Sequence, residues 1–164
     1  MKTIYLVRHA NAGWTNSNLP DFERTLSGKG RRDAAEMATR LLGKGVRPEI
    51  VISSPAVRAL ETAEIFGEIM GFDMDSVRME YAIYSGDVDA LHGIVAQLPQ
   101  ECQSAMLFGH NPNVSLFGSW LTGKPFGQME TCGVLRLDLS ANDWEDADEG
   151  SVEMAWYLWP KSHQ

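Results

Sequence analysis

The chain has 164 residues, 44% of them hydrophobic and 22% charged, which excludes a disordered chain and favours one folded domain, residues 1–164. Its net charge of −8 argues against nucleic acid and membrane surfaces as partners. The first apolar run is too short for a signal peptide, and Cys102 and Cys132 lack metal-type spacing, so we expect a cytoplasmic protein with free thiols.

Strands and helices alternate in the pattern predicted for the first two thirds of the chain. The predicted elements are a strand at 3–7, a helix capped by Ser27 and stopped by Gly43 and Gly45, a strand at 50–52, a helix from Pro55 to about Met70, a brief strand at 77–79, a helix at 88–98, a strand at 105–108 and a helix starting near Pro112. Two more strands are predicted at 134–139 and 152–159. This order predicts a three-layer α/β/α sandwich with a mostly parallel central sheet.

Some residues are assigned to packing and not to function. The predicted core side of the second helix consists of Leu60, Ala63, Phe66, Ile69 and Met70. Trp156 and Trp159 alternate with Tyr157 as strand residues do, so they are assigned to packing. We expect the acidic loop at 142–150 to be solvated. His92, in the middle of a helix, and His163, in the tail, are given no role.

Charged and polar residues follow three of the predicted strands. Arg8 and His9 end the first strand, Arg58 lies in the first turn after the second, and His110 follows the third. The carboxyl ends of neighbouring parallel strands open into one crevice, so we expect these side chains to meet there. After His110, Asn111 fits a helix N-cap and Pro112 the first helical position.

Arginines gathered in an otherwise acidic protein indicate a site for an anion. The planar guanidinium group binds two phosphoryl oxygens at once, which favours Arg8, Arg58 and additionally Arg24 as phosphate ligands. Nearby positive charge lowers the pKa of an imidazole and keeps it unprotonated, as a nucleophile must be. We therefore predict that His9 attacks phosphorus and that His110 donates a hydrogen bond to the transferred group.

Four motifs, in order along nearly the whole chain, resemble the histidine phosphatase superfamily, which is phosphoglycerate mutase-like in fold. They are Arg8-His9-Ala10, with alanine in place of the usual glycine, the stretch from Asp21 to Gly30, the stretch from Ser53 to Ala63, and Gly109-His110-Asn111-Pro112. The greatest similarity is to SixA-type phosphohistidine phosphatases. The resemblance implies a phosphorylated His9, a phosphate pocket of Arg8, Arg58 and His110 with Arg24 beside it, and no metal or organic cofactor.

The acid that protonates the leaving group has two candidates. In many members of the superfamily a glutamate beyond the second motif has this role, and Glu80 stands at about that place, so the resemblance favours Glu80. Asp21 is the alternative, because it lies in the motif that contains Arg24. The segment between 71 and 87 is too short for a large lid, so we expect an open site whose rim includes Trp14, Phe22 and Tyr84.

These observations predict a metal-independent phosphatase for phosphohistidine or other phosphomonoesters. Its partners would be a phosphorylated protein or a small phosphorylated substrate. Two alternatives stay open: a module that binds phosphoanions without catalysis, and a phosphotransferase resembling phosphoglycerate mutase. The short segment between 71 and 87 and the total length argue against the transferase.

Overall fold

The structure, a computed structural model, describes residues 1–13 and 18–162. Trp14, expected at the rim, and His163, given no role, lie outside these residues. The strands are β1 (Lys2–Arg8), β2 (Ile50–Ser53), β3 (Arg78–Met79), β4 (Ser104–Gly109), β5 (Val134–Leu139) and β6 (Val152–Leu158), and the helices are α1 (Gly28–Gly43), α2 (Val57–Met70), α3 (Tyr81–Ser85), α4 (Val88–Ala96) and α5 (Asn113–Thr122). None of the helices in the described ranges is long and apolar enough to cross a membrane.

The six strands form one sheet in the order β3-β2-β4-β1-β5-β6. Strands β1 to β4 pair in parallel, whereas β5 pairs antiparallel with both β1 and β6. Two successive reversals make β6 point the same way as β1, so β5 alone runs against the others. The predicted fold class is confirmed, with β5 making the sheet mixed.

Helices cover both faces of the sheet because the side chains of β1 alternate between two cores. Ile4 and Leu6 pack in a core cluster with residues of α4 and α5, whereas Tyr5 and Val7 pack in a second cluster with residues of α1 and α2. Val7 is fully buried immediately before Arg8. The sheet therefore fixes the point at which the polar residues begin.

The start of α1 lies directly against the loop that follows β1. As predicted, Ser27 is the N-cap, and its hydroxyl accepts a hydrogen bond from the Gly30 amide at 3.0 Å. A Cβ atom on Gly30 would lie 2.1 Å from the carbonyl oxygen of Asn11. Glycine is required there for this close approach, which holds the loop after His9 in place.

The predicted cap of α5 is wrong by one residue. Pro112, joined to Asn111 by a cis peptide bond, occupies the N-cap position, and the helix begins at Asn113. The oxygen of the Asn111 side chain accepts instead from the Ser115 hydroxyl at 2.7 Å, and its amide donates to the Met129 carbonyl at 3.1 Å. The Asn111 side chain therefore ties α5 to the segment before β5.

Two packing predictions also need correction. Ala63, Phe66 and Met70 are buried as predicted, and Ile69 packs against the same core cluster. Leu60 is only half-buried and lies outside it, whereas Ala59 and Thr62 are fully buried, so the core face of α2 is shifted from the predicted one. The acidic loop is not merely solvated, because Trp144 within it is fully buried and donates its indole N–H to the Cys102 carbonyl at 2.9 Å.

Candidate active site

The carboxyl ends of β1, β2 and β4 bring the two predicted histidines together. The amide of His9 donates to the carbonyl of Gly109 at 3.1 Å, and the amide of Ser54 donates to the carbonyl of Phe108 at 3.0 Å. The ring centroids of His9 and His110 are 5.2 Å apart. Both rings therefore line the crevice at the end of the sheet.

The imidazole of His9 is oriented by its own backbone neighbour. Its Nδ1 atom lies 2.7 Å from the carbonyl oxygen of Ala10. A carbonyl only accepts hydrogen bonds, so this contact assigns the proton to Nδ1 and leaves the lone pair on Nε2. Burial, followed by His110 and then by the positive charges of Arg58 and Arg8, lowers the pKa of His9 to about 3, although the hydrogen bond to Ala10 opposes the shift.

The imidazole of His110 is oriented by a hydroxyl from the end of β2. Its Nε2 atom lies 2.8 Å from the Ser54 hydroxyl, which also accepts from the Ala56 amide at 3.1 Å. If the hydroxyl donates to Nε2, the proton of His110 lies on Nδ1 and is available to a ligand. Burial and the charge of Arg58 lower the pKa of His110 to about 4.

Two buried polar atoms of the site lack a partner among the residues that the structure describes. These atoms are Nε of Arg8 and Nδ1 of His110. Arg8 is otherwise fixed, because its Nη1 group donates to the carbonyl of Met129 at 2.7 Å. Arg8 Nε is a donor, and Nδ1 of His110 is one in the tautomer in which the Ser54 hydroxyl donates to Nε2. Buried donors without acceptors are costly, and phosphoryl oxygens are acceptors that would satisfy both atoms.

Arg58 is buried in the first turn of α2, with 6% of its surface exposed. Its Nε group lies 3.4 Å from Nε2 of His9, and its two terminal nitrogens donate to the Asp21 backbone carbonyl at 2.7 Å and to the Asp21 Oδ2 atom at 3.0 Å. The guanidinium group thus faces the nucleophile candidate on one side and a carboxylate on the other.

Asp21 joins several of the predicted site residues. Its carboxylate accepts from Arg58, from Arg24 at 3.1 Å and from the Tyr84 hydroxyl at 2.9 Å. Partial burial works to raise the pKa of Asp21, but the hydrogen bonds from Tyr84 and Arg24 and the charge of Arg58 outweigh burial and hold the pKa at about 2. The side chain is half exposed, so it borders the open mouth of the crevice.

Glu80 makes a different contact. Its Oε1 atom lies 3.2 Å from a terminal nitrogen of Arg78, two residues earlier, and its amide donates to the carbonyl of Ser53. The residue occupies the N-cap position of α3, where its side chain makes no capping hydrogen bond. Of the two candidate acids, Asp21 is the one that the structure places against Arg58.

The sequence analysis missed a structural role of Thr62, whose side chain links two parts of the site by hydrogen bonds. The fully buried Thr62 hydroxyl accepts from the amide of Ala10 at 3.0 Å and donates to the carbonyl of Arg58 at 2.8 Å. One side chain thereby fixes the backbone after His9 to the helix that holds Arg58. The bond to the Arg58 carbonyl was predictable, because Thr62 lies four residues after Arg58 on the same helix. The bond from the Ala10 amide was not, because Ala10 is 52 residues away in the sequence.

No group of three or more His, Cys, Asp or Glu residues that could hold a metal ion occurs within the described parts of the chain. The site is built from two imidazoles, buried and half-buried guanidinium groups and one bordering carboxylate. This set can bind a compact dianion and present an unprotonated ring nitrogen to it.

The lowered pKa values predict a pH dependence of stability. Imidazoles of the unfolded chain take up protons near pH 6.5, whereas His9 and His110 in the folded protein do so only near pH 3 and pH 4. Between these limits the unfolded state binds more protons, so the contribution of these groups to the free energy of unfolding falls as the pH falls below about 6.5. In His9→Asn, this contribution of His9 is removed.

Thermal unfolding of the wild type and of His9→Asn, followed by circular dichroism at pH 7.5 and pH 5, measures this effect. The unfolding midpoint of the variant minus that of the wild type should be larger at pH 5 than at pH 7.5. A difference that is the same at both pH values would show that His9 titrates in the folded protein as it does in the unfolded chain.

Comparison with known proteins gives consistent matches. A family model described as histidine phosphatase superfamily (branch 1) matches residues 4–81. An uncharacterized chloroplast protein of Arabidopsis thaliana is 30% identical, with 96% of this chain and 75% of that protein covered. The structure of a proposed phosphohistidine phosphatase SixA from Agrobacterium tumefaciens superposes with a TM-score of 0.79 at 25% identity, covering 96% of this chain and 97% of the other. A protein histidine phosphatase SixA complexed with tungstate gives 0.82 at 24% identity, with the same coverage.

Proposed function

The chain belongs to the histidine phosphatase superfamily, and on that premise we propose a metal-independent phosphatase that forms a phosphohistidine intermediate on His9. Its proposed substrates are phosphohistidine or other phosphomonoesters. The observation that carries the proposal is the 2.7 Å contact between Nδ1 of His9 and the Ala10 carbonyl, because it leaves Nε2 unprotonated beside Arg58.

In the proposed complex the phosphoryl group lies between Arg8, Arg58 and His110, with Arg24 at the mouth. The unpartnered donors of Arg8 and His110 support this position, since each would gain a phosphoryl oxygen. Arg58 would exchange its contact with Asp21 for two of the phosphoryl oxygens. Donors fixed in advance stabilise the charge that moves to these oxygens during transfer.

The lone pair on Nε2 of His9 then forms a bond to phosphorus while the bond to the leaving atom breaks. The leaving atom takes the bonding electron pair and a proton. Positive charge grows on the His9 ring, and the Ala10 carbonyl, which accepts from Nδ1–H, stabilises it. A water molecule next attacks phosphorus and loses a proton to a nearby base, the N–P bond breaks, and phosphate and neutral His9 are regenerated.

We propose Asp21 in place of Glu80 as the acid for the first step. Its position against Arg58 supports this role, whereas the carboxylate of Glu80 pairs with Arg78. In the resting protein Asp21 has a pKa of about 2 and is ionised. A dianion bound to Arg58 would draw away that partner and place negative charge beside Asp21, and both changes raise the pKa of a carboxylate.

The segment after α2 supports an open site for a phosphorylated protein or a small ester. Residues 71–87 form only a short 3-10 turn (Met74–Ser76), β3 and α3 before α4 begins. For the location of the protein we propose the cytoplasm, where the buried free thiols of Cys102 and Cys132 would stay reduced.

A direct assay tests the proposed function. Incubation with p-nitrophenyl phosphate, and separately with a phosphohistidine peptide, in the presence of a metal chelator should release inorganic phosphate. Binding of vanadate without release of phosphate from either compound would identify a phosphoanion-binding module instead. With phosphoglycerate as substrate, an isomerised product without free phosphate would identify a transferase.

A further inference from the structure

An aromatic wall of three side chains, Phe22, Tyr81 and Tyr84, stands beside the phosphate pocket. The ring of Tyr84 lies edge-on to that of His110, with centroids 5.5 Å apart, and edge-on to that of Phe22 at 5.0 Å. Tyr81 lies 5.9 Å from Tyr84 and 6.4 Å from Phe22. The wall thus extends outward from a pocket histidine.

Two separate parts of the chain build this aromatic wall. Phe22 comes from the 3-10 turn at Asp21–Glu23, and the two tyrosines are three residues apart on α3, which places them on one side of that helix. The Tyr84 hydroxyl donates to Oδ2 of Asp21 at 2.9 Å, the same oxygen that accepts from Arg58. Because one Asp21 oxygen binds both Tyr84 and Arg58, it holds the aromatic wall next to the phosphate pocket.

The core does not require these tyrosines. Helix α3 is anchored through Ile83, which is 2% exposed and packs in the core cluster, whereas Tyr81 is 60% exposed. A large aromatic side chain that leaves most of its surface in water next to a reactive pocket is available to contact a ligand. Its ring offers an edge or a face to another ring, and such pairs form preferentially between aromatic groups.

We infer that the aromatic wall receives the group from which the phosphoryl is removed, and that this group is a planar ring. An imidazole, as in phosphohistidine, and a phenol, as in phosphotyrosine, share this chemistry. The inference rests on the proposed function, because the phosphoryl must lie between Arg58 and His110 for its substituent to reach Tyr81. It predicts selection for rings over saturated or short substituents of the same charge.

Binding of two non-hydrolysable compounds tests the aromatic wall without requiring turnover. Benzylphosphonate and cyclohexylmethylphosphonate have the same charge and a similar size, and only the first has a planar ring. By isothermal titration calorimetry the wild type should bind benzylphosphonate about 2- to 10-fold more tightly, the range expected for one or two ring contacts. Equal affinities, or tighter binding of the saturated compound, would overturn the inference.

Variants of exposed residues localise the effect. Tyr81→Leu should reduce the preference between the two phosphonates, because one of the three rings is lost, while leaving the affinity for vanadate unchanged, because the phosphate pocket is intact. Met154→Leu, at an exposed apolar position on β6 where half of the residue's surface is in water, is the matched control and should keep the preference. A preference as large in Tyr81→Leu as in the wild type would overturn the role of the wall.

Two peptide analogues separate the possible sources of the ring. A peptide with a triazolylphosphonate mimics phosphohistidine, and one with phosphonomethylphenylalanine mimics phosphotyrosine. Both should bind more tightly than the phosphonate analogue of phosphoserine, and the tighter of the two identifies the ring. The proposed function has its own readout, since hydrolysis of p-nitrophenyl phosphate with equal phosphonate affinities would reject the wall alone, and ring preference without hydrolysis would reject the catalytic proposal alone.

Discussion

Replacing His9 with asparagine is expected to abolish the phosphoenzyme and to lower kcat/KM on the order of 10³-fold or more. Asparagine has no basic nitrogen lone pair, so it cannot form the bond to phosphorus that Nε2 of His9 is proposed to make. The arginines and His110 remain in the variant, so phosphate binding should persist. One substitution would then abolish the chemical step while leaving phosphate binding in place.

The measurement is a trapping experiment with a ³²P-labelled substrate, quenched rapidly and analysed by mass spectrometry. The label should be stable in alkali, labile in acid and located on His9. His92→Asn is the matched control, because His92 lies away from the site with its ring against Trp120 and should leave labelling intact. Label that persists in His9→Asn, or that maps to His110 in the wild type, would reassign the nucleophile.

The meeting of His9, Arg58 and His110 was predictable because sheet geometry determines it. Each follows a short buried strand, and three neighbouring parallel strands must end at one edge. The three layers were predictable from the alternation of strands and helices along the chain. Regular hydrogen bonding makes such placements independent of the details of the loops.

The role of Asp21 was not predictable in this way. Asp21 lies in a 3-10 turn, 37 residues before Arg58, and no periodic pattern fixes where such a turn packs. Glu80 was favoured from its place in the chain, yet a local ion pair with Arg78 competes for its carboxylate. The cap of α5 also differs from the prediction, because the side chain of Asn111 binds the Ser115 hydroxyl and the Met129 carbonyl instead of a backbone amide of the first turn.

Replacing Asp21 with asparagine is expected to lower kcat about 10²-fold for alkyl phosphates but to change it little for p-nitrophenyl phosphate. An alkoxide leaves poorly without a proton, whereas nitrophenolate leaves without one. The imidazole of phosphohistidine is also a good leaving group, so the loss for that substrate should be small. Glu80→Gln is the matched control, in which the other candidate carboxylate becomes an amide, and it should leave all three rates unchanged.

The same substitution should strengthen anion binding. Asp21 holds a terminal nitrogen of Arg58 at 3.0 Å, so an incoming phosphate must displace a carboxylate that the guanidinium group already binds. An amide binds a guanidinium group more weakly than a carboxylate does, and the inhibition constant of inorganic phosphate should therefore fall several-fold in Asp21→Asn. An Asp21 that only supported the fold would, when replaced, weaken binding and slow all substrates alike. If Asp21 donates the proton, only substrates with poor leaving groups should lose rate in Asp21→Asn. If Asp21 also competes with phosphate for Arg58, phosphate should bind more tightly in the same variant.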